Sequence, residues 1–277
     1  MPGNASAGSL TVVGTGIRFY GQLTLEGRAA IEHADKVLFL VADPATFYWV
    51  RKLSLSADPE SLHGYYSTTT DRLTSYNNMA EHIVSYVRQG HRVCGVTYGH
   101  PGVFAYPFHE AIRRARAEGF SARMLPGISA EDSLFADLGI DPGTHGCQSF
   151  EATDFLVYKR KFDTSSVLIL WQIAIIGVLG YRTPWRAEDS APGLGVLTDV
   201  LLQHYPATHE VVIYEAAQFP VCDPVIRRLP LAHLPQGPVS PLSTLYVPPA
   251  APESSDPEML ARLGLVLPDL RNKAGSV

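Results

Sequence analysis

Arg92-Val-Cys-Gly-Val-Thr97 runs straight into Tyr98-Gly-His-Pro-Gly-Val-Phe104, and the reading of this junction decides the fold. The first segment is short, apolar and rich in valine, so it reads as a buried strand. The second has two glycines and a proline within five residues, which fixes an unusual backbone and exposes main-chain groups. Open parallel α/β sheets bind ligands at the carboxyl ends of their strands, so this loop is a candidate ligand site. Taken alone, His100 reads more readily as a loop histidine than as a catalyst.

The same alternation extends to either side. Leu10 to Val13 reads as a strand, Leu23 to Ala34 as a helix and Lys36 to Val41 as a second strand. Ala45 to Leu53 reads as a short helix. Asp71 to Gln89 reads as a longer one, with Leu73, Tyr76, Met79, Ala80, Ile83 and Val87 at three-four spacing, and Gly90 stops it. Pro107 to Glu118 is predicted as a helix and Ser121 to Leu125 as a strand. Apolar strands alternating with helices predict a parallel sheet covered on both faces.

Past Pro126-Gly127 the pattern changes. Ser129-Ala-Glu-Asp132 has the form of a capped helix start, running to about Leu138. Strand-like runs follow at 148–151, 167–173, 211–215 and 243–247, with a helix predicted over 196–204 and a short one over 257–263. This pattern suits a mixed sheet. The expected organisation is an α/β domain over 8–125, a mixed α/β domain over 126–250, and a linker with a short helix over 251–277.

Composition narrows the function classes. A net charge of -5 lacks the basic excess expected of a nucleic-acid-binding surface. Cys94, Cys147 and Cys222 are widely spaced and odd in number, which fits buried thiols in a reducing compartment better than a disulfide framework. No His, Cys and carboxylate cluster has metal-ligand spacing. The N-terminal residues lack a basic stretch followed by an apolar run, and no apolar run reaches membrane-spanning length. A cytoplasmic protein that binds neither membrane nor nucleic acid is expected.

Three more segments carry chemistry. Gly14-Thr-Gly16 follows the first strand, but a dinucleotide fingerprint needs a third glycine where Phe19 stands. Leu125-Pro-Gly-Ile-Ser-Ala130 lies at the next strand end, with Ser129 readable as an N-cap. Tyr66, Arg72 and Tyr76 form a polar set near the start of the long helix. Arg72 and Tyr76 are four apart, so both point to one side.

With these strings in hand, the chain resembles the tetrapyrrole methylase superfamily. Gly14-Thr-Gly16, Tyr98 to Phe104 and Arg123-Met-Leu-Pro-Gly-Ile-Ser-Ala-Glu-Asp132 carry that resemblance. Leu134-Phe-Ala-Asp-Leu-Gly-Ile-Asp-Pro142, together with Tyr66, Arg72 and Tyr76, is more closely similar to the borosin peptide backbone α-N-methyltransferases. The resemblance covers roughly residues 8 to 250. It implies two α/β domains with an S-adenosylmethionine cleft between them, and S-adenosylhomocysteine as product. The cofactor contacts it implies are Gly14, Tyr98, His100, Val103, Phe104, Ser129, Ala130, Gln172, Tyr214 and Thr244. The catalytic set it implies is Tyr66, Arg72, Tyr76 and Tyr98.

That chemistry accounts for the residue types. An amide nitrogen is a poor nucleophile because its lone pair is delocalised into the carbonyl. Methylation requires donors aimed at the carbonyl oxygen and a route for the N–H proton. Arg72 keeps its charge at any working pH and suits developing negative charge on oxygen. The resemblance further implies a homodimer. The short stretch after Pro249 reads as the split, bacterial-type arrangement, in which two enzyme chains act on two separate precursor peptides. The competing expectation is a C-methyltransferase acting on a corrin or porphyrin precursor, which would share the cofactor loop.

Overall fold

The computed structural model describes residues 8–41, 43–55, 58–66, 70–178, 185–250 and 255–266. The chain divides into two compact units. One comprises Met1–Leu138, Val178–Pro184 and Glu215–Val225; the other comprises Gly139–Gly177, Trp185–Tyr214 and Ile226–Val277.

The first unit contains β1 (Ser9–Gly14), α1 (Leu25–Glu32), β2 (Lys36–Leu40), α2 (Pro44–Leu53), β3 (Glu60–Ser61), a 3-10 turn at Leu62–Tyr65, α3 (Arg72–Arg88), β4 (Arg92–Thr97), α4 (Tyr106–Ala117), β5 (Ser121–Met124) and α5 (Ala130–Leu138). Its strands pair in parallel in the order β3-β2-β4-β1-β5. β3 is too short to show a period, so no sequence pattern revealed it.

Short polar side chains start the helices. Thr24 accepts from the Gly27 amide at 3.0 Å, Asp43 from Thr46 at 2.9 Å and Asp71 from Thr74 at 2.9 Å. Each bond satisfies an amide that the first helical turn leaves open.

Alternation along the strands feeds two cores. Leu10, Val12, Leu38 and Val93 join Met79, Ile83, Phe108 and Ala111 from α3 and α4. Val13, Val37, Phe39, Cys94 and Val96 join Ile31 and Val50 from α1 and α2. The sheet therefore has α1 and α2 on one face and α3 and α4 on the other. Burial pushes the Cys94 thiol up to about 12, which leaves it an inert core residue. Polar clamps join α3 to α4: Arg114 donates to the Asn77 side chain at 2.7 Å, and Arg88 pairs with Glu118 at 2.6 Å.

The second unit contains α6 (Pro142–His145), β6 (Cys147–Glu151), α7 (Ala152–Val157), β7 (Val167–Trp171), α8 (Ala191–Leu201), β8 (Glu210–Glu215), β9 (Val225–Pro230), β10 (Thr244–Val247) and α9 (Pro257–Leu263). Its sheet runs β6-β7-β10-β8-β9 and is mixed, parallel between β6 and β7 and antiparallel from β7 through β10 to β8. Phe155, Leu194, Leu197 and Leu201 cover Leu168, Leu170, Val211, Ile213 and Leu245.

Besides β3, the short helices α6 and α7 and two further elements depart from the sequence expectation. α8 starts earlier than the predicted 196–204, because Pro192 and Gly193 disguise its first turn. Proline is tolerated there, where no intrahelical amide bond is lost. A Cβ at position 193 would lie 2.8 Å from that of Ile176, so the glycine permits a close approach. β9 was not predicted. It is a mostly exposed edge strand ending in Pro230, and such strands lack apolar alternation.

Two arginine-bonded carboxylates predict the acid response, Asp35 at the surface and Glu110 half-buried. Hydrogen bonds from Arg92 hold the Asp35 carboxyl at about 2, and those from Arg113 and Arg114 hold Glu110 at about 2. A folded pKa below the unfolded value near 4 gives stability that is present above pH ~4 and lost as pH falls toward ~2. Urea unfolding between pH 5 and 2 should show this loss. Asp35→Asn with Glu110→Gln should flatten the slope modestly, because exposed pairs are screened. An unchanged slope in the double variant would place the acid sensitivity elsewhere.

Candidate functional site

β1 leads to α1 on one face of the first sheet, while its neighbour β4 leads to α4 on the other. The chain thus leaves two adjacent strand ends in opposite directions, and open α/β sheets bind ligands in such a crevice. Gly14-Thr-Gly16 and Tyr98 to Phe104 are the two segments that meet there. The Gly16 amide donates to the Gly99 carbonyl at 3.3 Å, and the Gly99 amide returns a bond at 2.9 Å. Both glycines have positive φ, 74° and 70°.

The approach leaves no room for a side chain at Gly14. A Cβ there would lie 2.0 Å from the Gly99 oxygen and 2.8 Å from the Pro101 ring. A Cβ at Gly127, in the loop after β5, would lie 3.3 Å from Pro101. The three strings singled out in the sequence therefore converge at one sheet edge.

The Tyr98–Phe104 loop is internally fixed. Tyr98 donates its amide to the Leu40 carbonyl at 3.2 Å. His100 Nδ1 accepts from the Gly102 amide at 2.9 Å, which leaves Nε2 to carry the ring proton. Val103 and Phe104 are exposed, by 40% and 54%, although both are apolar. Phe104 also has a φ of 51°, a costly conformation for an aromatic residue. An exposed apolar tip on a strained backbone is a feature of binding loops rather than of cores.

Tyr98 lines a narrow cavity of about 10 Å³ with Gly16, Arg18, Asp43, Trp49 and Gln218. Partial burial raises its phenol pKa above an already high ordinary value, although 36% of the residue stays exposed, so it carries a proton to donate at neutral pH. Ser129 is the N-cap of α5. Its hydroxyl donates to Asp132 Oδ2 at 2.7 Å and accepts from the Asp132 amide at 3.1 Å. The Ser129 amide also donates to Asp132 Oδ2, at 2.6 Å, and its carbonyl accepts from the Ser133 amide at 3.2 Å, so this residue is engaged in the cap.

Tyr66, Arg72 and Tyr76 gather at the start of α3. Tyr66 closes the 3-10 turn, and its ring meets Tyr76 edge-on at 6.1 Å. Arg72 is the first residue of α3, one turn before Tyr76. A cation there opposes the helix dipole, next to the Asp71 carboxylate that caps the helix. Residues that break a local rule in this way are candidates for function.

The sequence reading passed over Tyr106, whose ring stacks on Tyr76 at 6.0 Å and 27°. It also passed over Arg18 and Trp49 in the cavity beside Tyr98. No periodicity pointed to either; both are joined to the set only by the fold.

Gln172, Tyr214 and Thr244 belong to the second unit. Tyr214 and Thr244 are register partners across β8 and β10, and both are buried. Gln172 follows β7 with a φ of 60°, and Ile173 next to it bonds the Ser243 carbonyl at 3.3 Å. The three therefore share one end of the second sheet. No group of three metal-ligating side chains occurs among the described residues.

Residues 9–231 match the family model for tetrapyrrole (corrin/porphyrin) methylases. The chain therefore belongs to the tetrapyrrole methylase family. It is 43% identical over 264 residues to a methyltransferase/ribosomally synthesized cyclic peptide omphalotin A precursor of Omphalotus olearius, covering 94% of this chain and 62% of that protein. It is 42% identical to a methyltransferase/type III borosin cyclic peptide precursor of Anomoporia bombycina, covering 96% of this chain and 31% of the relative. The chain thus spans less than two thirds of either relative's length. The crystal structure of uroporphyrin-III-C-methyltransferase from Thermus thermophilus shares the fold, with a TM-score of 0.62 at 20% identity, over 88% of this chain and 93% of that one.

A methyl donor of the S-adenosylmethionine type is implied by the family, and the residues present suit it. Val103 and Phe104 offer exposed apolar surface, and the Gln172 side chain makes no cap bond to its own backbone.

Gly14→Ala should destabilise the protein by roughly 3 kcal/mol, the upper range for overpacking. Gly21→Ala is the control, since a Cβ there meets nothing within 4 Å. Equal urea midpoints for the two variants would refute the close approach at Gly14.

Proposed function

We propose that this protein transfers methyl groups from S-adenosylmethionine to backbone amides of a ribosomal precursor peptide, as in borosin biosynthesis. The observation that carries this reading is the acceptor cluster. Arg72 stands one turn before Tyr76, and the Tyr66 ring lies against Tyr76. The names of the relatives, which pair a methyltransferase with a cyclic peptide precursor, support it. The rival acceptor is a tetrapyrrole carbon, suggested by the description of the family model and by a structure that shares the fold at 20% identity.

When bound, S-adenosylmethionine supplies an electrophilic methyl group and leaves as S-adenosylhomocysteine. By the family resemblance, Gly14, His100, Val103, Phe104, Ser129, Ala130, Gln172, Tyr214 and Thr244 are the residues that would hold it. The chain's own task is to activate the amide. Arg72 offers a fixed positive charge to the carbonyl oxygen as the imidate develops. Tyr98, which carries its phenol proton, donates a hydrogen bond and orients the amide. The route for the N–H proton runs through Tyr66 or Tyr76. A homodimer acting on two precursor chains is part of this reading. The relatives join enzyme and precursor in one chain, so presentation of a separate precursor is a finer proposal that an assay in trans tests.

Incubation with S-adenosylmethionine and a candidate precursor, followed by tandem mass spectrometry, should show methyl increments on backbone nitrogens. Increments on side chains, or on a porphyrinogen but no peptide, would sink the proposal. Arg72→Ala should lower turnover on the order of 100-fold (~3 kcal/mol) while S-adenosylhomocysteine affinity persists in calorimetry. Undiminished turnover would remove Arg72 from the mechanism. Tyr98→Phe should slow the reaction but keep its rise with pH, because Tyr98 donates rather than accepts; a flattened profile would make Tyr98 the base.

A further inference from the structure

We infer that Tyr106 is a positioning residue, a ring that fixes Tyr76 and ties the cofactor loop to the acceptor cluster; this rests on the peptide-methylation reading above. Three rings form a row. Tyr66 meets Tyr76 edge-on at 6.1 Å, and Tyr106 stacks on Tyr76 at 6.0 Å with 27° between the planes. Tyr76 is thus held between one ring from the 3-10 turn and another from the start of α4.

The place of Tyr106 in the chain gives this contact its reach. It is the first residue of α4 and follows the strained Phe104 by two residues. Its N-cap, Ala105, makes no side-chain cap bond, so capping does not fix the helix start. Phe108 anchors it instead: its side chain is fully buried, and a Cβ at Gly95 would lie 3.0 Å from its ring. A shift of the Tyr98–Phe104 loop would therefore be passed through Tyr106 to Tyr76.

The plain alternative is ordinary helix packing. The α3–α4 pair already has that in its shared core and in the Arg114–Asn77 and Arg88–Glu118 contacts. Tyr106 remains 42% exposed, so it adds little to that core. A phenol ring left half-open on the acceptor tyrosine is better placed to set the angle of Tyr76 than to hold the helices together.

The test uses Tyr106→Ala and Tyr106→Phe in the full chain, with 3-fluorotyrosine placed at position 76 as a fluorine NMR probe. Tyr106→Ala should lower kcat about tenfold, leave KM and S-adenosylhomocysteine affinity within twofold, and shift or broaden the position-76 signal. Tyr106→Phe, which keeps the ring, should restore both kcat and the signal. Tyr106→Leu replaces Ala if Ala lowers the melting temperature. Unchanged kcat in the ringless variants, or a Phe variant as slow as Ala, would overturn the inference. If the wild-type protein methylates no peptide backbone, the functional reading fails. The fluorine signal still decides separately whether Tyr106 fixes Tyr76, and an unchanged signal overturns it.

Discussion

The approach of Gly14 to the Gly99 carbonyl is the constraint on which the first unit depends. β1 and β4 are adjacent, and their following loops must turn to opposite faces of the sheet. The two loops cross so closely that a single methyl group would collide with a backbone oxygen 2.0 Å away. Glycine is therefore required by the neighbouring backbone, whatever ligand also approaches. The paired hydrogen bonds between Gly16 and Gly99 then lock the crossing, and the loop that carries His100, Val103 and Phe104 is held in a conformation it would not adopt alone.

Within the first unit, unfavourable local choices accumulate. Arg72 sits at the positive end of a helix dipole, Phe104 adopts left-handed backbone, and apolar side chains stand exposed at the loop tip. Each costs stability, and the large cores elsewhere carry that cost. The Tyr66 and Tyr76 rings meet edge-on at the start of α3, one turn after the cation at Arg72 enters the helix.

Much of the fold was legible in the sequence because its rules are local. Apolar runs marked β1, β2 and β4, and three-four spacing marked α3; the caps at Thr24, Asp43 and Asp71 are seen only in the structure. Legibility failed where local signals conflict with context. Pro192 and Gly193 look like a loop yet begin α8, since close packing against Ile176 favours glycine there. β9 is an exposed edge, so no apolar alternation betrays it. Ser129 was readable as a cap, and its bonds with Asp132 are those of a cap.

By itself the sequence determined the parallel first sheet, the mixed second one and the glycine-proline break that makes the Tyr98–Phe104 loop. It could do so because alternation, capping and glycine-proline punctuation act over a few residues. Only the tertiary structure decided why Gly14 admits no side chain, that Tyr214 and Thr244 face each other across two strands, and that Tyr66, Tyr76 and Tyr106 form one row. Those facts depend on residues far apart in the chain meeting at ångström distances. Such meetings are set by strand order and by which face each helix covers, and no local pattern encodes either.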